Sequence, residues 1–231
     1  MTIGVLGGMG PEATAYFFAR LVESDKASRD QDHLRIVVEC DPSIPDRTAF
    51  LEGRGEDPLP AMTAAAARLA TAGAGIAGIS CMTAHAFLPR LRAATAMPFL
   101  SAFDTLAARI ARDYSGARRV GVLATTGSRH ARLYEDNLPG FEVLWPPQEE
   151  QETLVMEAIY GRNGIKAGNR GEYPRTLLAQ AARSLRESGA ELIVAGCTEV
   201  PLALSRADVD IPYIDPMTVL AEALVAAARA G

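Results

Sequence analysis

The chain has 231 residues, 48% of them apolar and 22% charged, and a net charge of −5. That is an ordinary soluble composition with enough apolar material for one large α/β domain or two smaller ones. It excludes several classes: no basic patch suits nucleic acid, no apolar stretch reaches the roughly 18 residues of a membrane span, and the apolar run of Met1–Gly8 lacks the basic start of a signal peptide.

Residues 3–13 read IGVLGGMGPEA, an apolar strand running into glycines and then into a helix. Gly8-x-Gly10-x-x-Ala13 fits a loose dinucleotide fingerprint, which calls for an acidic residue about 20 positions further on. The acidic residues at the end of the next strand, Glu39 and Asp41, lie 29 and 31 residues past Gly10, too far for that pattern. Further strands are expected at 34–40, 75–80, 98–102, 119–124, 141–146, 191–196 and 212–216. Helices are expected at 11–25, 60–72, 84–95, 103–113, 129–137, 149–160, 173–188 and 217–230. Continuous apolar strands alternating with helices predict parallel sheets buried on both faces.

The chain also repeats itself. Gly4-Val5-Leu6 recurs as Gly121-Val122-Leu123, an offset of 117. Gly73-Ala74 recurs as Gly189-Ala190, and each glycine lies 8 residues before a cysteine, Cys81 or Cys197. Pro98-Phe99 and Pro212-Tyr213 follow in turn. The fold expected is α/β, with two pseudo-symmetric parallel-sheet domains, 1–102 and 103–216, facing across a central cleft. The last helix, 217–231, can pack on either half and is grouped with the first.

In ISCMTAH and VAGCTEV each cysteine ends a buried strand just before a helix. Strand ends of open α/β sheets bind ligands, and helix N-termini lower thiol pKa values. Two thiols on opposite sides of one ligand suit proton removal from one face of a stereocentre and delivery to the other, which is racemisation or epimerisation without a cofactor. Arg47, in SIPDRTAF, lies 34 residues before Cys81, and Lys166, in NGIKAGN, lies 31 before Cys197. Both fall in polar Gly/Pro-rich stretches that read as loops. Two cations at matched positions suit a dicarboxylate and the charge that develops at Cα. Lys26 and Lys166 are the only lysines, so a pyridoxal enzyme has few candidates for its Schiff base. No Cys/His spacing suits a metal, and free thiols point to a cytoplasmic chain.

Taken together, IGVLGGMGPEAT, IPDRTAF, GEDP, CMTAHAF, LATTG, GIKAGN, AGCTEVPL and PYIDPM resemble the aspartate/glutamate racemase family, in its aspartate racemase branch, over nearly the whole chain. The resemblance implies a pyridoxal-independent amino-acid racemase of two pseudo-symmetric domains, usually a homodimer, acting on a small-molecule acidic amino acid. It implies catalytic roles for Cys81 and Cys197. It implies substrate-binding roles for Met9, Arg47, Met82, Thr83, Thr126, Lys166 and Thr198, and an assisting role for Glu199. His85, four residues past Cys81, reads as a supporting or core residue. Two positions depart from the pattern. Met82 stands where the family carries an asparagine, and methionine cannot donate a hydrogen bond. Cys40-Asp41 stands where asparagines end the second strand; an inward Asp41 would repel a dicarboxylate, and Cys40 reads as a core thiol before a pocket one. The rival readings are a maleate-type isomerase with a nucleophilic cysteine, a related decarboxylase or hydantoin racemase, and a non-catalytic binding protein for an acidic amino acid.

Overall fold

The alternation of strand-length and helix-length segments produces seven parallel strands in two separate sheets, in a computed structural model that describes all 231 residues. In chain order the elements are β1 (Ile3–Gly7), α1 (Pro11–Asp25), β2 (Ile36–Cys40), α2 (Arg47–Leu51), α3 (Leu59–Thr71), β3 (Ile76–Ile79), α4 (Leu88–Ala94) and α5 (Ala102–Asp113). There follow β4 (Arg119–Val122), α6 (Thr126–His130), α7 (Leu133–Asn137), β5 (Glu142–Leu144), α8 (Gln148–Glu150), α9 (Glu157–Tyr160), α10 (Glu172–Glu187), β6 (Leu192–Val194), β7 (Tyr213–Ile214) and α11 (Pro216–Ala230). The chain divides into residues 1–106 with 217–231, here unit 1, and residues 107–216, unit 2. No helix is long and apolar enough to cross a membrane.

Unit 1 carries the sheet β2-β1-β3, registered Ile3 to Ile36 and Ile3 to Ile76. The strand expected at 98–102 is reduced to one parallel bridge, Ala77 to Phe99, made by the Ala77 N–H on the Pro98 carbonyl (2.8 Å) and the Leu100 N–H on the Ala77 carbonyl (2.9 Å). β2 departs from the expectation of sheets covered on both faces. It is the edge strand, Val38 is 39% exposed, and Cys40 is exposed, not a core thiol. The last helix closes this unit: Arg229 Nε bonds the buried Asp25 carboxylate at 2.8 Å, and the Met1 ammonium bonds the Ala228 carbonyl at 2.5 Å. A Cβ on Gly78 would sit 2.7 Å from Leu224 Cδ1, so this glycine lets α11 lie close on β3.

Unit 2 carries β5-β4-β6-β7, registered Val120 to Val143, Val120 to Leu192 and Ile193 to Tyr213. Three expected helices are interrupted, the first of them in unit 1 and the other two in unit 2. Segment 84–95 begins as a 3₁₀ turn, Thr83–Phe87, before α4. Segment 129–137 breaks at Arg132, whose φ of 52° lies in the left-handed region. Segment 149–160 contains a π-helical turn, Gln151–Met156, between α8 and α9.

The repeated residues have a shared physical cause. Gly73 and Gly189 hold φ of 86° and 95° just past the ends of α3 and α10, where a left-handed residue closes a helix without a Cβ penalty. The next residue in each case bonds back five positions, Ala74 N–H to Leu69 O and Ala190 N–H to Leu185 O, 2.9 to 3.0 Å. Each of these alanines then meets the repeated strand glycine. A Cβ on Gly4 would lie 3.0 Å from Ala74 Cβ, and one on Gly121 would lie 3.0 Å from Ala190 Cβ. The two glycine–alanine pairs are thus the points where helix end and central strand touch.

Candidate active site

In unit 1 the chain leaves β1 through Gly7 and Gly8. A Cβ on Gly7 would lie 2.3 Å from Thr14 Cγ2, and one on Gly8, whose φ is 93°, would lie 2.3 Å from the Asp41 backbone. The close approach these glycines permit is to the protein's own Thr14 and Asp41. Thr14 Oγ1 accepts the Gly8 N–H (2.9 Å), donates to the Gly10 carbonyl (2.9 Å) and lies 3.0 Å from Ser80 Oγ. Ser80 in turn pairs its N–H with the Leu6 carbonyl at 3.1 Å, so the residue before Cys81 is fixed from two sides.

Cys81 is 6% exposed and shares an apolar cluster with Met9, Ile44, Phe87 and Leu88. Met82 and Thr83 are buried beside it. His85 is buried as well. Its Nδ1 lies 2.9 Å from the Cys81 carbonyl, which can only accept, so Nδ1 carries the proton; Nε2 accepts the Ala102 N–H at 3.1 Å. Burial holds the imidazole down at about 4 despite the bonds to the Cys81 and Met82 backbone, and His85 is a neutral ring linking the cysteine to the start of α5. Arg47 begins the short helix α2 where a loop was expected, with Asp46 capping that helix through the Ala49 N–H (2.8 Å). It is buried, and its guanidinium donates to the carbonyls of Ile44 (3.2 Å), Pro45 (3.0 Å) and Met9 (2.9 Å). Asp41 does not stand as a bare charge: it accepts from the Ser43 hydroxyl (2.5 Å) and N–H (3.0 Å) and bonds Arg68 Nη2 at 2.8 Å, and these partners, the Ser43 hydroxyl first, hold its carboxyl below the usual range.

In unit 2 Cys197 lies beyond β6, its N–H on the Leu123 carbonyl at 2.9 Å. The preceding carbonyl, Gly196, accepts from the buried Tyr134 hydroxyl at 2.6 Å. A Cβ at position 196 would meet that hydroxyl at the same distance, 2.6 Å, which explains the glycine. Cys197 is 6% exposed, and its thiol donates to Glu199 Oε2 at 2.9 Å. Thr198 Oγ1 donates to the same oxygen (3.2 Å), and Lys166 Nζ pairs with Oε1 at 2.6 Å. Burial first, then the Glu199 carboxylate, push the Cys197 thiol well up, while the Lys166 ammonium pulls the other way. The expected lowering by a helix N-terminus does not occur, because a single 3₁₀ turn, Val200–Leu202, follows this cysteine and a carboxylate sits against it. For Lys166, burial lowers the pKa, but the charges of Glu199, Cys197 and Tyr160 outweigh it and the net direction is up. The lysine sits in a 3₁₀ turn, Ile165–Ala167, 5.3 Å from the Tyr160 ring centre.

Thr126, the first residue of α6, is buried under the π-helical turn. Its hydroxyl donates to Glu152 Oε1 at 2.9 Å, its N–H points to Met156 Sδ at 3.3 Å, and Gln151 Nε2 reaches it at 3.4 Å while bonding the Ala124 carbonyl at 2.9 Å.

Within each unit, then, several residues singled out from sequence come together. In unit 1 Cys81 and Met9 share one cluster, and Arg47 grips Met9. In unit 2 Cys197, Thr198, Glu199 and Lys166 form one connected set. Sequence reasoning missed Thr14, Tyr134, Gln151 and Glu152; Thr14 stands out as a polar residue among apolar ones in its helix, and no local pattern marks the other three. No group of His, Cys, Asp and Glu side chains is arranged to hold a metal ion.

Comparison with known proteins gives a consistent picture. The family profile described as Asp/Glu/Hydantoin racemase matches residues 6–224. Among solved structures, the Picrophilus torridus aspartate racemase superposes with a TM-score of 0.82 and 28% identity, over 99% of this chain and 94% of that one. A broad specificity amino-acid racemase of Bacillus subtilis is 24% identical over 232 residues, 96% of each chain. An uncharacterised protein of Pectobacterium carotovorum is 38% identical over 95 residues, which are 40% of this chain and 60% of that protein.

Proposed function

The chain belongs to the Asp/Glu/Hydantoin racemase family, and from that premise we propose that it racemises an acidic amino acid, aspartate or glutamate, with Cys81 and Cys197 as its two acid/base groups. The observation that carries the reading is the pair of buried cysteines at matching strand ends, one per unit, with Cys197 held as a thiol against Glu199. Inversion at a carbon needs an acceptor on the face that the proton leaves and a donor on the other. In one direction the Cys81 thiolate takes the α-proton, and the electron pair left on Cα spreads into the α-carboxylate. The Cys197 Sγ–H then delivers its proton to Cα and becomes a thiolate, beside the Lys166 ammonium that balances the charge of Glu199. The reverse direction exchanges the roles. Thr83 and Thr198, each next to or near its cysteine, supply donors for the α-carboxylate, and Arg47 and Lys166 supply positive charge for the second carboxylate.

The test is solvent deuterium at Cα of L- and D-aspartate and glutamate. The wild type is expected to label both enantiomers. Cys81→Ser and Cys197→Ser are each expected to abolish racemisation while exchange out of a single enantiomer survives. A wild type that binds these amino acids and exchanges nothing is a binding protein, and full two-way activity in either variant overturns the two-thiol reading.

A further inference from the structure

An amino acid brings an ammonium as well as its carboxylates. Every group assigned to substrate so far either donates or is neutral, and the one acid among them has both oxygens engaged: Glu199 holds Lys166 through Oε1, and Cys197 and Thr198 through Oε2. The structure holds one carboxylate of a different kind on the Thr126 turn. Glu152 is exposed, and both of its bonds fall on Oε1, from the Thr126 hydroxyl at 2.9 Å and Gln148 Nε2 at 3.4 Å. Its Oε2 is left uncommitted.

Three residues of one π-helical turn converge on Thr126. Gln151 reaches its hydroxyl, Glu152 accepts from that hydroxyl, and Met156 faces its N–H. A π turn adds a residue to the helix and rotates the following side chains, and such turns recur at functional sites. Here it brings two consecutive side chains, Gln151 and Glu152, onto the same threonine. Gln151 is fully buried, and its Oε1 has no hydrogen-bond partner, an arrangement a fold solely concerned with packing would not favour. The same strand end also positions the cysteine, since Leu123, three residues before Thr126, carries the carbonyl that holds Cys197 N–H.

The geometry points to Glu152, oriented by Thr126, as the residue that binds the substrate's α-ammonium. The inference rests on the racemase reading above. Oε1 stays on Thr126, Oε2 accepts an N–H of the ammonium, and the bond is charge-assisted. It also fixes which way the amino acid lies, because the ammonium and the α-carboxylate then have separate partners.

Binding of aspartate and of malate, its 2-hydroxy counterpart, separates the possibilities. Both ligands carry the two carboxylates, and only aspartate carries the ammonium. Glu152→Gln keeps the shape and the bond to Thr126 and removes the charge. It is expected to weaken aspartate by about tenfold or more, in calorimetry and in KM, with kcat little changed and malate affinity unaltered or improved. Glu152→Asp, which keeps the charge, is expected to recover part of the preference for aspartate. Equal weakening of aspartate and malate in Glu152→Gln would make the residue structural, and no change in either would remove it from the site; both results overturn the inference. Calorimetry needs no turnover, so a wild type that binds aspartate over malate without exchanging its α-hydrogen defeats the racemase reading and leaves the Glu152 result legible.

Discussion

The turns around Cys81 and Cys197 occupy the same place in their respective units and are held by different physics. Around Cys81 the fixing bonds are neutral and run to the backbone: Ser80 N–H to the Leu6 carbonyl, and His85 bridging the Cys81 carbonyl to the Ala102 N–H. Its side-chain surroundings are apolar, with Met9, Ile44 and Phe87 in the cluster. Around Cys197 two bonds to the backbone, Cys197 N–H to the Leu123 carbonyl and Tyr134 to Gly196, are joined by the Glu199 carboxylate on the thiol itself, which Lys166 and Thr198 hold in turn. The two cations differ in the same way. Arg47 is tied to three backbone carbonyls, whereas Lys166 is tied to a carboxylate. A duplicated scaffold has kept the position of the cysteine and changed what sets its protonation. In unit 2 the carboxylate that accepts the thiol proton also raises the thiol's pKa, and so favours a proton donor at rest.

The largest effect expected from this difference is on stability. His85→Phe preserves an aromatic ring of similar size against Phe103, whose centroid lies 5.7 Å away. It strips the partner from the Cys81 carbonyl and from the Ala102 N–H, two buried backbone groups, at a cost of about 2–4 kcal/mol. The matching change in unit 2, Tyr134→Phe, removes one partner, that of the Gly196 carbonyl, and costs about 1–2 kcal/mol. Denaturant unfolding of the two variants checks the ranking, and a larger loss from Tyr134→Phe would contradict the view that unit 1 relies more on backbone bonding.

A second effect belongs to unit 1 alone. The His85 imidazole is held at about 4 in the folded chain against an ordinary 6.5. Above pH 6.5 both states are neutral at this residue, and it adds nothing to the pH dependence. As pH falls from 6.5 toward 4, the unfolded chain takes up a proton that the native chain refuses, so stability is lost through that window. The full loss is on the order of 3 kcal/mol. Carboxylates such as Asp25 contribute their own acid dependence, so the check is the difference between wild type and His85→Phe. The variant is less stable at neutral pH, and its stability falls less steeply between pH 6.5 and 4. Parallel slopes would show that His85 is not buried as a neutral ring.

Much of this comparison was legible in the sequence. The repeat was visible because its residues are forced: Gly73 and Gly189 by a left-handed backbone, Gly4 and Gly121 by the alanines that press on them. Both cysteines followed from the same register. The parts that were not legible depend on neighbours far apart in the chain or on very short elements. The direction of the Cys197 shift was misread because a helix N-terminus was expected where a single 3₁₀ turn forms, and because burial and the adjacent Glu199 dominate the field there. Tyr134 reaches Gly196 across 62 residues, and no local pattern announces such a bond. The glycines of the first turn were correctly set apart from a dinucleotide cradle, yet what they make room for, Thr14 and Asp41, required the packed fold. Cys40 looked like core because its strand is apolar, and an edge strand leaves it exposed.

The smallest effect is the sharpest probe of the asymmetry. Glu199→Gln keeps a side-chain oxygen within reach of the thiol and of Thr198, and removes the negative charge. Burial still raises the Cys197 pKa, but the second cause of the rise is gone, and the Lys166 ammonium, now without its partner, acts on the sulfur alone. The Cys197 pKa therefore moves down. Thiols react with iodoacetamide as thiolates, so the rate of Cys197 alkylation, read by peptide mass, is expected to rise at a lower pH in Glu199→Gln than in wild type. Lys166→Met works in the opposite sense, leaving the Glu199 charge uncompensated and moving the Cys197 profile up. A Cys197 profile unmoved by either substitution would mean that these charges do not act on the thiol, and the charge-held half of the comparison would fail.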